Sequence, residues 1–140
     1  EQGSYTVSDE LKAKIQATFA GGFCNDIQTR EKIGHAWRDH RYLIDTHTAV
    51  AFRVARQQAA GETPCVVLST ASPYKFPCDV LGALGALGAD VPEDEFEAMR
   101  LLQEKTGVPA PASLAGLREK PVRFTQVVEK DGIRAAALAL

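Results

Sequence analysis

Three hydroxyl side chains, Ser69, Thr70 and Ser72, fall within one short stretch, VVLSTASPYKF at 66–76, and Pro73, Lys75 and Phe76 follow at once. A hydroxyl both donates and accepts, so such a group can hold a neutral acceptor or an anion. The run at 65–68 before it is too short for a helix and lacks polar alternation. That predicts a strand covered on both faces, as in a parallel sheet. Open α/β sheets bind ligands at the carboxyl ends of their strands, where this strand would deliver hydroxyls and backbone amides. The structural alternative is that Ser69 and Thr70 only end the strand while Ser72 and Pro73 make a turn. Residue types alone leave both readings open.

Other reactive side chains are less well placed. Cys24, Cys65 and Cys78 are odd in number and far apart, which fits neither a disulfide framework nor a paired-cysteine zinc site; a core-filling role and a reducing compartment are expected. His35 and His40 have no partner at metal-ligand spacing, so no metal is expected. Arg53 and Arg56 fall on what reads as a solvated helix face. No glycine-rich phosphate cradle occurs, and no nucleophile is paired with a base.

The elements that would position these groups are mostly helical. Ser8 caps a helix with Asp9 and Glu10 in its first turn, with Leu11, Ile15 and Phe19 on one face and a stop at Gly21-Gly22. Asn25 and Gln28 form a capping-box pattern ahead of Ile33 and Trp37. Asp45 or Thr46 caps a third helix in which Val50, Ala51, Val54 and Ala55 cluster, and GETP at 61–64 breaks it. Pro77 opens a helix burying Val80, Leu81, Leu84 and Leu87, in which Gly82, Gly85 and Gly88 weaken the helix or admit another backbone. The segment 91–107 is a helix with early acids, a late Lys105 and a stop at Gly107. VPAPAS at 108–113 is a linker, Ser113 caps a short helix to Lys120, and the tail from Val127 is helical with an interruption at Gly132.

With 140 residues, 45% of them apolar, the chain can bury one core. We expect a single segment over 1–140, with a sub-boundary near 108–112. The net charge of -2, with basic and acidic residues interspersed, argues against a nucleic-acid partner. No stretch approaches the roughly 18 apolar residues that span a bilayer, so neither a membrane anchor nor a membrane partner is expected, and a cytoplasmic setting is. One buried-type strand among six or seven helices leaves backbone groups unpaired at both edges. The expectation is therefore a piece of a longer protein, a reading that the start at Glu1 and the single methionine, Met99, also favour.

Two segments carry a family resemblance: YLIDTHTAVAFRVAR at 42–56 and CVVLSTASPYKFPCDV at 65–80. They resemble the C-terminal region of threonine synthase, a pyridoxal-phosphate enzyme. There the first segment usually has Asp or Glu, Pro, His, Thr or Ala, then Ala, and the second a hydrophobic strand followed by Ser or Gly, Thr, Ala, a turn, and Pro-x-Lys-Phe. The matching residues are Asp45, Thr46, His47, Thr48 and Ala49, then Ser69 to Phe76, with Thr46 where proline is usual. The N-terminal GSYTVSDE also resembles the family's approach to this region. The likeness is good over residues 3 to about 88 and loose beyond.

The resemblance implies an α/β fold class: the helix-rich C-terminal portion of a tryptophan-synthase β-like (fold type II PLP) large domain, with few parallel strands. It implies conversion of O-phospho-L-homoserine and water to L-threonine and phosphate, with pyridoxal 5'-phosphate as cofactor. Thr70 matches the threonine whose hydroxyl meets the cofactor's ring nitrogen, Ser69 is its neighbour, and His47 is a candidate for the substrate end. A helix-start histidine bonded to nearby backbone is the alternative for His47. No residue here is assigned a catalytic role. The Schiff-base lysine and the phosphate loop belong to the family's N-terminal half, so Lys75 is not that lysine and the chain alone should be inactive. The expected partner is the remainder of the parent chain; self-association is left open. The rival readings are a non-catalytic helix-rich packing or binding module, and another enzyme of the same cofactor superfamily such as threonine dehydratase or cysteine synthase.

Overall fold

The computed structural model describes residues 3–58, 63–85, 91–123 and 125–139. The first three helices and the fifth start where a side chain accepts from their unpaired amides, and the fourth starts at a proline, which has no amide hydrogen to satisfy. In α1 (Asp9–Gln16) Ser8 Oγ accepts from Leu11 N at 3.2 Å. In α2 (Asp26–His40) Asn25 Oδ1 accepts from Gln28 N at 2.9 Å while Gln28 Oε1 accepts from Asn25 N at 3.2 Å, the reciprocal pair that the sequence predicts. For α3 (Thr46–Gln58) the cap is Asp45, whose carboxylate accepts from the His47 and Thr48 amides. Pro77 opens α4 (Pro77–Ala83), and Asp94 Oδ1 accepts from Glu97 N at 2.8 Å to open α5 (Glu95–Thr106). Gly107 ends α5 at φ 72°, a conformation that suits glycine.

The core lies where α2 packs on α3 and α4, and α4 on α5. Ile33 and Trp37 from α2, Ala49 from α3, Val80 and Leu81 from α4, and Met99 and Leu102 from α5 are buried in it, together with Ile44 and Leu84. The close backbone approach falls at Gly34. A Cβ there would lie 3.0 Å from the carbonyl oxygen of Ala83, tighter than most Cβ contacts, so any larger residue would require α2 or α4 to shift by a few tenths of an ångström. At Gly82 a Cβ would make only an ordinary 3.7 Å contact. Tyr74, in the 3-10 turn Pro73–Lys75, is buried, and its hydroxyl donates to the Val108 carbonyl, tying the turn to the segment after α5.

Several expectations change. The segment 63–70 has no strand assignment, and no strand is assigned among the described residues. A strand exists only through its ladder, and here Val66 and Leu68 are 82% and 72% exposed, without the two covering layers the sequence calls for. The apolar face of α1 is likewise uncovered: Leu11, Ile15 and Phe19 are exposed, and α1 ends at Gln16, before the two glycines. Arg53 is half-buried with its Nε enclosed and unpartnered among the described residues, so it is not on a solvated face, whereas Arg56 is exposed. Cys65 is exposed and fills no core, while Cys24 and Cys78 are half-buried.

The C-terminal helices are shorter than expected. In α6 (Ala112–Ala115) Ser113 is inside the helix, because the Pro111 carbonyl already accepts from Leu114 and Ala115. In the tail, a 3-10 turn at Lys130–Gly132 runs into α7 (Ile133–Leu138), so Gly132 is a junction between the two. Gly61 and Glu62, expected to break α3, and Leu87 and Gly88 lie outside the described residues.

Candidate functional site

The start of α3 is the centre of the site. Asp45 is fully buried, and its carboxylate takes four hydrogen bonds. Oδ2 accepts from the His47 amide at 2.9 Å and faces His47 Nδ1 at 2.9 Å; Oδ1 accepts from the Thr48 amide at 3.1 Å and from the Thr48 hydroxyl. Thr48 Oγ1 lies 3.1 Å from Ser69 Oγ, which joins the hydroxyl-rich segment to α3. Burial alone would raise the Asp45 carboxyl, but the bonds from Thr48 and His47 outweigh it and hold it below its ordinary value.

This network separates two clefts. His47, with its ring 5.0 Å from that of Phe76, lines a cleft of about 450 Å³ that also includes Arg30 and Asp79, an ion pair at 3.3 Å linking α2 to α4. Thr48 and Ser69 line another of about 420 Å³, with Tyr42, Phe52 and Val67. One buried carboxylate therefore contacts a side chain facing each cleft.

The sequence candidates are distributed accordingly. Ser69 is anchored through Thr48. Thr70, the next residue, is exposed, and among the described residues no partner holds its hydroxyl. Among the described residues the His47 ring meets no backbone carbonyl; it pairs with the Asp45 carboxylate. Ser72 does what the turn reading expects, accepting from the Tyr74 amide at 3.2 Å. Lys75 is exposed on that turn, unlike a lysine desolvated for imine chemistry. Of the two cap candidates at α3, Asp45 takes the role. Its function as a hub, and that of Thr48, escaped the sequence reading, although an acid followed at the third position by threonine was the available signal.

The residues at hand fit one edge of a pyridine cofactor. Thr70 offers a neutral hydroxyl with no partner among the described residues, which would suit an uncharged ring nitrogen, whereas a carboxylate would favour its protonated form. The described residues offer no comparable set for the cofactor's phosphate.

The family described as threonine synthase, C-terminal, matches residues 48–136. The chain is 35% identical over 128 residues to a threonine synthase of Pseudomonas aeruginosa, covering 86% of this chain and 27% of that protein. It is 33% identical over 113 residues to a threonine synthase of Methylobacillus glycogenes, covering 81% of this chain and 19% of that one. Among solved structures, the pyridoxal-phosphate-bound threonine synthase of Brucella melitensis matches 89% of this chain and 23% of its own, at 30% identity and a TM-score of 0.64. The chain thus spans about a quarter or less of the length of these relatives.

Proposed function

Because this chain belongs to the threonine synthase family, we propose that it forms the C-terminal segment of an enzyme converting O-phospho-L-homoserine and water to L-threonine and phosphate. Its fold is the helix-rich C-terminal portion of that pyridoxal-phosphate enzyme. The cofactor, when bound, supplies the electron sink for the elimination and the water addition. The chain's own residues hold one edge of it. Thr70 would donate a hydrogen bond to the ring nitrogen, and Ser69, held by Thr48, would keep the segment end in place. His47 faces the substrate end from the neighbouring cleft.

The observation that carries this reading is the exposed pair Ser69 and Thr70: one hydroxyl is tied back to the helix start, and the other has no partner among the described residues. The remainder of the parent chain is the proposed partner. It would pair with the segment 63–70, covering Val66 and Leu68, and pack on the apolar face of α1. We expect the chain alone to be inactive, since the family's imine-forming lysine belongs to its N-terminal half and Lys75 is exposed.

The test is phosphate release from O-phospho-L-homoserine in the presence of pyridoxal phosphate, by the chain alone and mixed with the upstream part of its parent protein. Activity only in the mixture, abolished by Thr70→Ala and by Thr70→Asp, is expected. Full activity in Thr70→Ala would remove Thr70 from the cofactor. Silence in the mixture, from a chain shown to be folded by circular dichroism, would favour a non-catalytic packing module.

A further inference from the structure

Proton directions follow from the Asp45 network without reference to any ligand. An ionised carboxylate only accepts, so the 2.9 Å contact to His47 Nδ1 places the ring proton on Nδ1 and leaves Nε2 as the acceptor of the neutral ring. The Thr46 hydroxyl, 3.4 Å from the same nitrogen, is the weaker partner. Likewise the single hydroxyl proton of Thr48 is committed to Asp45 Oδ1. In the 3.1 Å contact between Thr48 Oγ1 and Ser69 Oγ, Ser69 must then be the donor. With that proton used, Ser69 can only accept from anything else.

We infer that Asp45 and Thr48 are positioning residues that make His47 Nε2 and Ser69 Oγ acceptors at the two clefts, leaving Thr70 the one hydroxyl of the adjacent pair able to donate to an uncharged ring nitrogen. The Thr70 role rests on the cofactor reading above; the proton directions rest on the hydrogen bonds alone. A serine at position 69 whose proton is withheld cannot compete with Thr70 for the ring nitrogen. It also presents lone pairs in a fixed direction in place of a freely turning rotor. Asparagine has one acceptor oxygen where the carboxylate has two; turned toward Thr48, whose amide and hydroxyl both bond to one oxygen, it leaves its amide nitrogen facing His47.

Two readouts on the full-length protein separate these roles. The first is the ¹⁵N chemical shifts of the His47 ring, which need no cofactor. Protonation at Nδ1 is expected in the wild type, and Asp45→Asn, whose amide nitrogen can donate to Nδ1, is expected to shift the proton to Nε2. A wild-type ring protonated at Nε2, or a tautomer unchanged in folded Asp45→Asn, would overturn the inference; should Asp45→Asn not fold, the wild-type shifts decide alone.

The second readout is pyridoxal-phosphate affinity, followed by absorbance. Thr48→Val, which releases the Ser69 proton, is expected to weaken binding about fivefold to tenfold, the scale of one buried hydrogen bond, and Thr48→Ser to restore it. Wild-type affinity in folded Thr48→Val would overturn the positioning role. If Thr70→Val also binds the cofactor like the wild type, it is the cofactor reading that falls, and the His47 shifts still decide the role of Asp45.

Discussion

Replacing Asp45 with alanine is the perturbation whose cost follows most directly from the structure. The carboxylate is fully buried and caps α3 through the His47 and Thr48 amides. Losing such a cap destabilises by about 1 kcal/mol. Thr48 is only 5% exposed, and its hydroxyl loses its main acceptor, at roughly 1–2 kcal/mol. The His47 side chain is 61% exposed, so water replaces its partner at little cost. The sum is about 2–3 kcal/mol, measurable by urea unfolding followed at Trp37, the single tryptophan, which is buried in the core on α2. Asparagine, with one acceptor oxygen in place of two, keeps the Thr48 bonds but not the His47 amide bond, and should cost less than alanine.

The pH dependence has a definite sign. The folded carboxyl titrates below its ordinary value because the Thr48 and His47 bonds outweigh burial. Its stabilisation is therefore complete above the unfolded aspartate value of about 4 and is lost as pH falls through the lower folded value. The wild type's advantage over Asp45→Asn should be flat from neutral pH to about 5 and shrink below about 4. A gap that widens on acidification, or an alanine variant as stable as the wild type at neutral pH, would refute the reasoning.

Other outcomes follow from single sites. Leu102→Ala empties a fully buried position between α5 and its neighbours and should cost about 2–5 kcal/mol in the same urea assay. Gly107→Ala places a Cβ at φ 72° and should cost about 1 kcal/mol without changing the far-ultraviolet spectrum. Iodoacetamide should modify exposed Cys65 well before Cys78 in the chain alone. Burial, with the nearby Glu95, Asp79 and Asp94 charges, raises the Cys78 thiol and keeps it protonated. In the full-length protein Cys65 should become protected, as the proposed pairing of 63–70 requires; mass spectrometry reports both.

The local chemistry of helix ends was legible in the sequence. Ser8, the Asn25–Gln28 box, Pro77 and Gly107 all act at the positions their types suggest, because a cap depends on residues three or four apart. Long-range features were not. The donation from Tyr74 to Val108 spans 34 residues, and Gly34 meets Ala83 across two helices, so no local pattern announces either. The strand at 65–68 was called for by its apolar run, yet a run of β-branched residues specifies only that neighbours are needed. Arg53 looked solvated by helical phase alone, which does not register what packs over its stem. At the site, the resemblance supplied Thr70, Ser69 and His47; the carboxylate that links two of them, Asp45, emerged only from the fold.

The most direct test is the ¹⁵N shift of the cofactor's ring nitrogen, with labelled pyridoxal phosphate bound to the full-length protein and its Thr70→Asp variant. With the Thr70 hydroxyl at the ring, the wild type should give the shift of an uncharged pyridine, and the aspartate variant that of a protonated one. Identical shifts in the two proteins would mean that residue 70 does not meet the cofactor.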